Sequence, residues 1–157
     1  MNPNLPEKIF AIMTYEQLRD QCAKITKFTD QEIAEKFAEE AGTSPTEIRK
    51  KYQFILEKIT ESDFLNLKHS HTSKRLKEEG NILFGVKNYS DAISKYEAAI
   101  QEASQITDQT ISKSLIQALR HNLALTYNLM GLHDNAVSQC EMVLLYVDLI
   151  DSCRRPV

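Results

Sequence analysis

The chain has few of the residues that end helices and build tight turns. Its 157 residues include only four glycines and four prolines, and it has no tryptophan. Folds made of many short β-strands use glycine and proline at their turns, whereas the Ala, Glu, Gln, Lys, Leu and Ile that dominate here favour helices. The composition therefore predicts an all-α fold, as one core-bearing domain or two small helical domains in series.

Other scarcities limit the function and the location. The three cysteines, Cys22, Cys140 and Cys153, are far apart and form no Cys-x-x-Cys pair, which indicates reduced thiols and neither a zinc nor a redox motif. A net charge of -3 provides no general attraction to nucleic acid or to anionic membranes. The sequence lacks an apolar run of about 18 residues and a secretion signal, so we expect a cytoplasmic protein with no direct membrane span.

Motifs of catalysis and metal binding are also missing. The sequence contains no glycine-rich phosphate loop, no Gly-x-Ser-x-Gly elbow and no His-Glu-x-x-His motif. His69 and His71 stand close together, but no Cys or further His follows at metal-site spacing. We therefore expect neither an enzyme nor a site for a cofactor or a metal.

The first part of the chain contains three helix-start signatures. In each, Ser or Thr is followed three residues later by Glu or Gln, a pairing in which each side chain accepts a hydrogen bond from the other residue's backbone amide. An apolar residue then recurs at helical spacing. We predict about three short helices in residues 1–66 and a junction between Glu61 and His71, where the pattern loosens. The pairs are Thr14–Gln17, Thr29–Glu32 and Ser44–Glu47, and the apolar faces are Tyr15, Leu18, Cys22 and Ile25, then Ile33, Phe37 and Ala41, then Ile48, Tyr52, Ile55 and Ile59.

Residues 32–53 can also be interpreted as a helix-turn-helix that binds DNA. Arg49, Lys50 and Lys51 would supply the positive charge. Several glutamates directly precede them and would repel phosphates, so an accessory or capping module is the favoured interpretation.

The second part of the chain contains an internal repeat. Residues 75–100 align with residues 119–144 at an offset of 44, which places Gly80 on Ala124 and Ala92 on Ala136. Small residues at these positions let two helix backbones approach closely, while large residues fill the space beside them. Residues 85–88 and 130–134 hold the Gly and Asn that can adopt positive φ in turns. The repeat predicts two helical hairpins in residues 67–147.

The residues of this repeat resemble a known family. The stretch Leu76-Lys-Glu-Glu-Gly-Asn-Ile-Leu-Phe84, with Tyr89, Ala92, Ile93, Tyr96, Ala99 and Ile100, resembles the tetratricopeptide repeat. Residues 122–127, with Gly131, Ala136, Cys140 and Leu144, resemble a second copy. The usual period is 34 residues, and about ten extra residues lie between Glu102 and Gln117, as in several immunophilin-type and organelle-surface members. The resemblance covers about half of the chain and implies an α-solenoid fragment.

The resemblance also implies a ligand. Carboxylate-clamp members of the family bind the C-terminal Glu-Glu-Val-Asp tails of heat shock protein 90 and heat shock protein 70 class chaperones. Lys77, Asn81 and Asn122 match the clamp's first three positions, and Phe84 or Leu125 would seat an apolar side chain of the peptide. A lysine supplies charge to a terminal carboxylate, and two asparagine amides donate directional hydrogen bonds.

The end of the chain departs from the family. Residues 148–157 stand where a third repeat would begin, and they are interpreted as its truncated remnant or as a tail. Arg154 and Arg155 resemble the Arg-Arg pair of that repeat, so Arg154 is a further candidate for the clamp. Without a third repeat, the apolar residues between Val143 and Ile150 would be uncovered and available for self-association.

Two functional hypotheses follow from these observations. In the first, the chain is a co-chaperone adaptor that binds acidic C-terminal peptides in its concave groove. Its organisation resembles chaperone-docking receptors at organelle surfaces, whose anchoring region would be absent from this chain. In the second, it is a scaffold subunit that packs permanently in a larger assembly through its apolar end.

Overall fold

The computed structural model describes residues 12–38 and 42–154, with side chains up to residue 145. Within these residues the structure is helical and contains no strand, which confirms the all-α prediction. We number seven helices along the described chain: α1 (Tyr15–Ile25), α2 (Asp30–Lys36), α3 (Pro45–Lys58), α4 (Glu61–Gly85), α5 (Tyr89–Ser104), α6 (Gln109–Leu129) and α7 (His133–Arg154).

The chain divides into two compact units, Met1–Leu67 and Lys68–Val157. The division falls within α4, so the polar stretch that was predicted as a junction is helical. A fourth reciprocal cap starts this helix, because the Thr60 amide donates to Asp63 Oδ2 at 3.0 Å and the Asp63 amide donates to Thr60 Oγ1 at 3.1 Å. The hydroxyl and amide of Thr60 both lower the pKa of Asp63. The cap was not predicted from the sequence because Asp replaces the usual Glu or Gln.

The three predicted capping pairs are all formed in the first unit. At the first of them, Gln17 Oε1 accepts from the Thr14 amide at 2.9 Å and Thr14 Oγ1 accepts from the Gln17 amide at 3.2 Å. The helices bury their predicted faces, although Ala41 lies outside the described residues. The core comprises Leu18, Cys22, Ile25, Ile33, Ile48, Tyr52, Ile55 and Phe64.

One of the basic residues that suggested a helix-turn-helix has a structural partner. Arg49 donates to the backbone carbonyl of Phe28 through Nε at 3.1 Å and through a terminal nitrogen at 3.0 Å. The same guanidinium pairs with Asp30. This side chain therefore ties the start of α3 to the connection between α1 and α2 and is engaged within the unit.

In the second unit, α5 packs against α6, and α6 packs against α7. The second half of α4 lies against α5, where the Ser73 hydroxyl donates to the Ala99 carbonyl at 2.8 Å. Gly80 lies close to the ring of Tyr96, which is 1% exposed. The small residue thus permits the close approach of two helices that the repeat pattern predicted. The buried core comprises Ala92, Tyr96, Ala99, Leu119 and Leu123.

Helices α4 and α6 end with the same geometry, 44 residues apart. Lys87 has φ 64° and Gly131 has φ 76°, and each follows the last turn of its helix. Of the Gly and Asn residues that could adopt positive φ in these two turns, Gly131 does so, whereas Gly85 and Asn88 do not. Asn88 instead has φ -84° and caps α5, so the residue before it must turn the chain. The matching backbone bonds are Asn88 N to Leu83 O (2.9 Å), Lys87 N to Phe84 O (3.0 Å), Leu132 N to Tyr127 O (2.9 Å) and Gly131 N to Asn128 O (3.0 Å).

The extra residues of the repeat are mostly helical. Helix α5 continues to Ser104, and α6 begins at Gln109 after the N-cap residue Asp108, whose Oδ1 accepts from the Thr110 amide at 2.9 Å. Residues 148–154 continue α7 without a break. They therefore extend the preceding helix and do not start a separate one.

Candidate functional site

A small pocket lies where α4, α5 and α6 meet. It has a volume of about 150 Å³ and is lined by Asn81, Phe84, Tyr96, Asn122 and Leu125. Four of these residues are sequence-predicted binding residues. The fold brings them together although they lie on two helices about forty positions apart. The fifth, Tyr96, had been assigned to the repeat pattern alone.

A hydrogen-bond network connects three of the lining residues. Asn81 Oδ1 accepts from the Tyr96 hydroxyl at 2.8 Å and from Asn122 Nδ2 at 3.1 Å. A carbonyl oxygen has two lone pairs, so this acceptor is fully used. Burial raises the pKa of Tyr96, while a hydrogen bond from Asn122 opposes the shift, so the hydroxyl stays protonated at neutral pH. With its oxygen used, the side chain of Asn81 can offer a ligand only its N–H groups.

An apolar wall borders the polar network. The ring of Phe84 packs against that of Tyr89 with centroids 5.6 Å apart, and Leu125 is 52% exposed. The pocket therefore combines amide donors with exposed apolar surface, a combination that suits a short peptide segment.

Lys77 lies one turn before Asn81 on α4 and is half-buried, outside the lining of the pocket. Within the described residues, no carboxylate forms an ion pair with it. In contrast, Arg75 and Lys95 both pair with Glu79, and the hydrogen bond from Lys95 is the main cause of the lowered pKa of this glutamate. Lys77 is thus a cation near the pocket whose charge is available to an anionic ligand.

The sixth predicted residue, Arg154, is the last residue of α7. Its side chain lies outside the described part of the structure, and Arg155 lies outside it altogether. We therefore build the site from the other five predicted residues and Tyr96.

A second, larger groove lies between α6 and α7. Its volume is about 620 Å³, and its exposed apolar residues include Val137 (55%) and Leu144 (61%). The corresponding groove between α4 and α5 is filled by Leu119 and Leu123 of α6. No described helix occupies the α6–α7 groove. Its lining is His121, Ala124, Leu125, Asn128, His133, Ala136, Val137, Cys140, Glu141 and Leu144.

The remaining candidates from the sequence concern a metal site and a membrane-spanning helix. His69 Nδ1 lies 2.8 Å from Glu102 Oε2, in a contact between α4 and α5. Among residues 12–38 and 42–154, no three His, Cys, Asp or Glu side chains cluster in a way that could hold a metal ion. None of the helices in this part of the chain is long and apolar enough to cross a membrane.

Comparison with known proteins identifies no relative. No protein-family model matches the chain, and searches of curated proteins and of solved structures find no match. The resemblance to tetratricopeptide repeats therefore stays a prediction from the residues.

Proposed function

We propose that this chain is an adaptor that binds the acidic C-terminal peptides of other proteins in the pocket formed by α4, α5 and α6. The arrangement of Asn81 and Asn122 carries the proposal, because they meet at one pocket and leave amide donors for a ligand. The tetratricopeptide resemblance, taken as part of this proposal, names the ligand as a Glu-Glu-Val-Asp tail of a heat-shock chaperone. The proposed role includes no catalytic step.

The chemistry of the pocket supports an anionic ligand. Lys77 supplies a positive charge that has no ion-pair partner among the described residues. The two asparagines supply directional N–H groups, and Phe84 with Leu125 supplies apolar surface for a side chain such as valine. Hydrogen bonds to charged groups contribute roughly 1.5–3 kcal/mol each. Three or four of them, set against the cost of ordering a peptide, correspond to micromolar affinity. The proposed docking is therefore weak and reversible.

Calorimetric titration of the whole chain with an acetylated Glu-Glu-Val-Asp peptide tests this proposal. We expect Lys77→Ala to weaken binding by about tenfold or more, since one charged contact is lost. Lys95→Ala is the matched control, because it removes a lysine of the same unit whose charge is already paired with Glu79. Absence of binding by the wild-type chain would overturn the proposal, as would equal affinity of Lys77→Ala and wild type.

The groove between α6 and α7 favours a second candidate function, that of a scaffold subunit. In the same unit, residues of α6 fill the equivalent groove between α4 and α5. The groove between α6 and α7 is therefore suited to pack against a further helix. In this case the chain should associate with itself or with a permanent partner through α7. Light scattering of the wild type and of Leu144→Asp separates the two candidates. A dimer that Leu144→Asp dissociates supports the scaffold, whereas a monomer that binds the tail peptide supports the adaptor.

A further inference from the structure

We propose that buried Tyr96 is a positioning residue that makes the pocket selective for a free carboxylate over a carboxamide. Its hydroxyl donates to Asn81 Oδ1 and so holds the Asn81 amide with its N–H groups toward the ligand. The inference rests on the proposed function, in that it assigns the specificity of the same pocket. It adds a residue that does not itself need to touch the peptide.

The orientation of an asparagine amide is set by its neighbours. Its oxygen and nitrogen ends have nearly the same shape but opposite hydrogen-bonding character. At Asn81, two donors converge on the oxygen, one from Tyr96 at 2.8 Å and one from Asn122 at 3.1 Å. Rotating the amide by half a turn would place its NH₂ group against that of Asn122. Because both neighbouring donors bond to the oxygen of the Asn81 amide, only its N–H groups are left for a ligand.

The position of the Tyr96 hydroxyl is itself determined by helix packing. The ring is 1% exposed, and a Cβ atom placed on Gly80 would lie 2.6 Å from Tyr96 Cε1. The tyrosine ring therefore fills the space left by the missing side chain, and the contact between α4 and α5 holds it there. Because the ring is buried and fills this space, the hydroxyl is held in one position and anchors the Asn81 amide.

The second repeat lacks both residues of this pair. At the offset of 44 residues, Leu125 takes the place of Asn81 and Cys140 takes the place of Tyr96. The polar amide and the hydroxyl that orients it are thus both present in the first repeat and both replaced in the second. This pattern is expected if the two residues act together in binding, and it gives the pocket one polar side and one apolar side.

The ligand class follows from the hydrogen-bond donors that Asn81 offers in the pocket. A carboxylate accepts hydrogen bonds through both oxygens, whereas a carboxamide presents an NH₂ group that would face the donors of Asn81. A site built to hydrogen-bond one group rejects an analogue that leaves polar groups unpaired. We expect the wild-type chain to bind a peptide with a free C-terminal carboxylate about tenfold or more tightly than the same peptide with a C-terminal amide.

The test compares the whole chain with its Tyr96→Phe variant, which retains the ring and removes only the hydroxyl. Both are titrated with the acetylated Glu-Glu-Val-Asp peptide as the free acid and as the amide. We expect Tyr96→Phe to lose part of the preference for the free acid, the remainder being due to the charge of Lys77, while its affinity for the amide is unchanged. Tyr127→Phe is the matched control, because it removes a tyrosine hydroxyl of the same unit that bonds to Glu97. Its preference should remain that of the wild type.

A ligand-independent arm keeps this inference separate from the proposed function. Acetate and acetamide are titrated into the labelled chain while the side-chain amide resonances of Asn81 and Asn122 are followed by NMR. Selective shifts with acetate, lost in Tyr96→Phe, support the inference even if the wild type binds no tail peptide. Equal responses to acetate and acetamide in the wild type would overturn it. Retention of the full acid preference by Tyr96→Phe would do so as well.

Discussion

The close approach of α4 and α5 at Gly80 provides a strict test of the packing. In Gly80→Ala, the new Cβ would lie 2.6 Å from Tyr96 Cε1 and 2.8 Å from Tyr96 Cδ1, closer than real Cβ contacts. Tyr96 is buried, so its ring cannot swing into solvent. Either the helices separate or the ring rotates, and a rotation breaks the 2.8 Å hydrogen bond to Asn81. Gly85→Ala is the matched control, since it is in the same helix and a Cβ there meets nothing within 4 Å.

The size of the effect follows from three contributions. Replacing glycine by alanine in a helix stabilises it by about 1 kcal/mol. Overpacking at Gly80 costs about 1–3 kcal/mol, and a lost hydrogen bond costs about 1 kcal/mol more. Gly80→Ala should therefore lower the free energy of unfolding by about 1–3 kcal/mol, whereas Gly85→Ala should raise it by up to about 1 kcal/mol.

Urea unfolding of the full chain, followed by far-ultraviolet circular dichroism, measures this difference. The first unit is common to both variants, so a difference between them reports on the second unit. We expect the Gly80→Ala transition to lie at the lower urea concentration. Equal stability of Gly80→Ala and Gly85→Ala would show that the contact between Gly80 and Tyr96 is not tight. It would also refute the inference that Tyr96 is a rigid anchor for Asn81.

Three further predictions concern helix ends and cysteines. Lys87→Gly should stabilise the chain by about 1 kcal/mol and Gly131→Ala should destabilise it by a similar amount, because a Cβ disfavours positive φ. Urea unfolding measures both changes. A Lys87→Gly variant with the stability of the wild type would contradict this explanation. Exposed Cys140 should react with iodoacetamide in the folded chain and buried Cys22 only after unfolding, as mass spectrometry of the peptides would show; rapid labelling of Cys22 would refute its burial. Burial raises the pKa of Cys22 from 9.0 to about 11, so the thiolate forms first in the unfolded chain. The contribution of Cys22 to the free energy of unfolding should be complete below pH 9 and should fall by about 2–3 kcal/mol towards pH 11. Thermal unfolding of Cys22→Ala, measured in parallel, should not show this loss.

The helix starts were predictable because they depend on short stretches of chain. Thr14 and Gln17, like the pairs at Thr29 and Ser44, satisfy each other's backbone amides across three residues. The Thr60–Asp63 cap follows the same logic with a shorter side chain and was missed only because the pattern had been limited to Glu and Gln. Allowing Asp at the third position would have placed the start of α4.

Two features of the helix connections were not predictable in this way. Lysine is a poor choice for positive φ, so nothing local marks Lys87 as the residue that turns the chain after α4. Lys87 adopts positive φ because Asn88 caps α5 and because the backbone hydrogen bonds of Lys87 and Asn88 to the last turn of α4 require a turn at this residue. The packing of two helices thus overrides the preference of one residue.

The sequence by itself determined that the chain is helical, where most of its helices begin, and that one hairpin is repeated 44 residues further on, since caps, apolar spacing and self-similarity are properties of local sequence. It also suggested Asn81 and Asn122 as partners in one site. Only the tertiary structure decided that a buried tyrosine, 15 residues from Asn81, donates to its oxygen while Asn122 does the same from 41 residues away. The direction of an amide depends on which atoms surround it in space, and that information is absent from the order of residues along the chain.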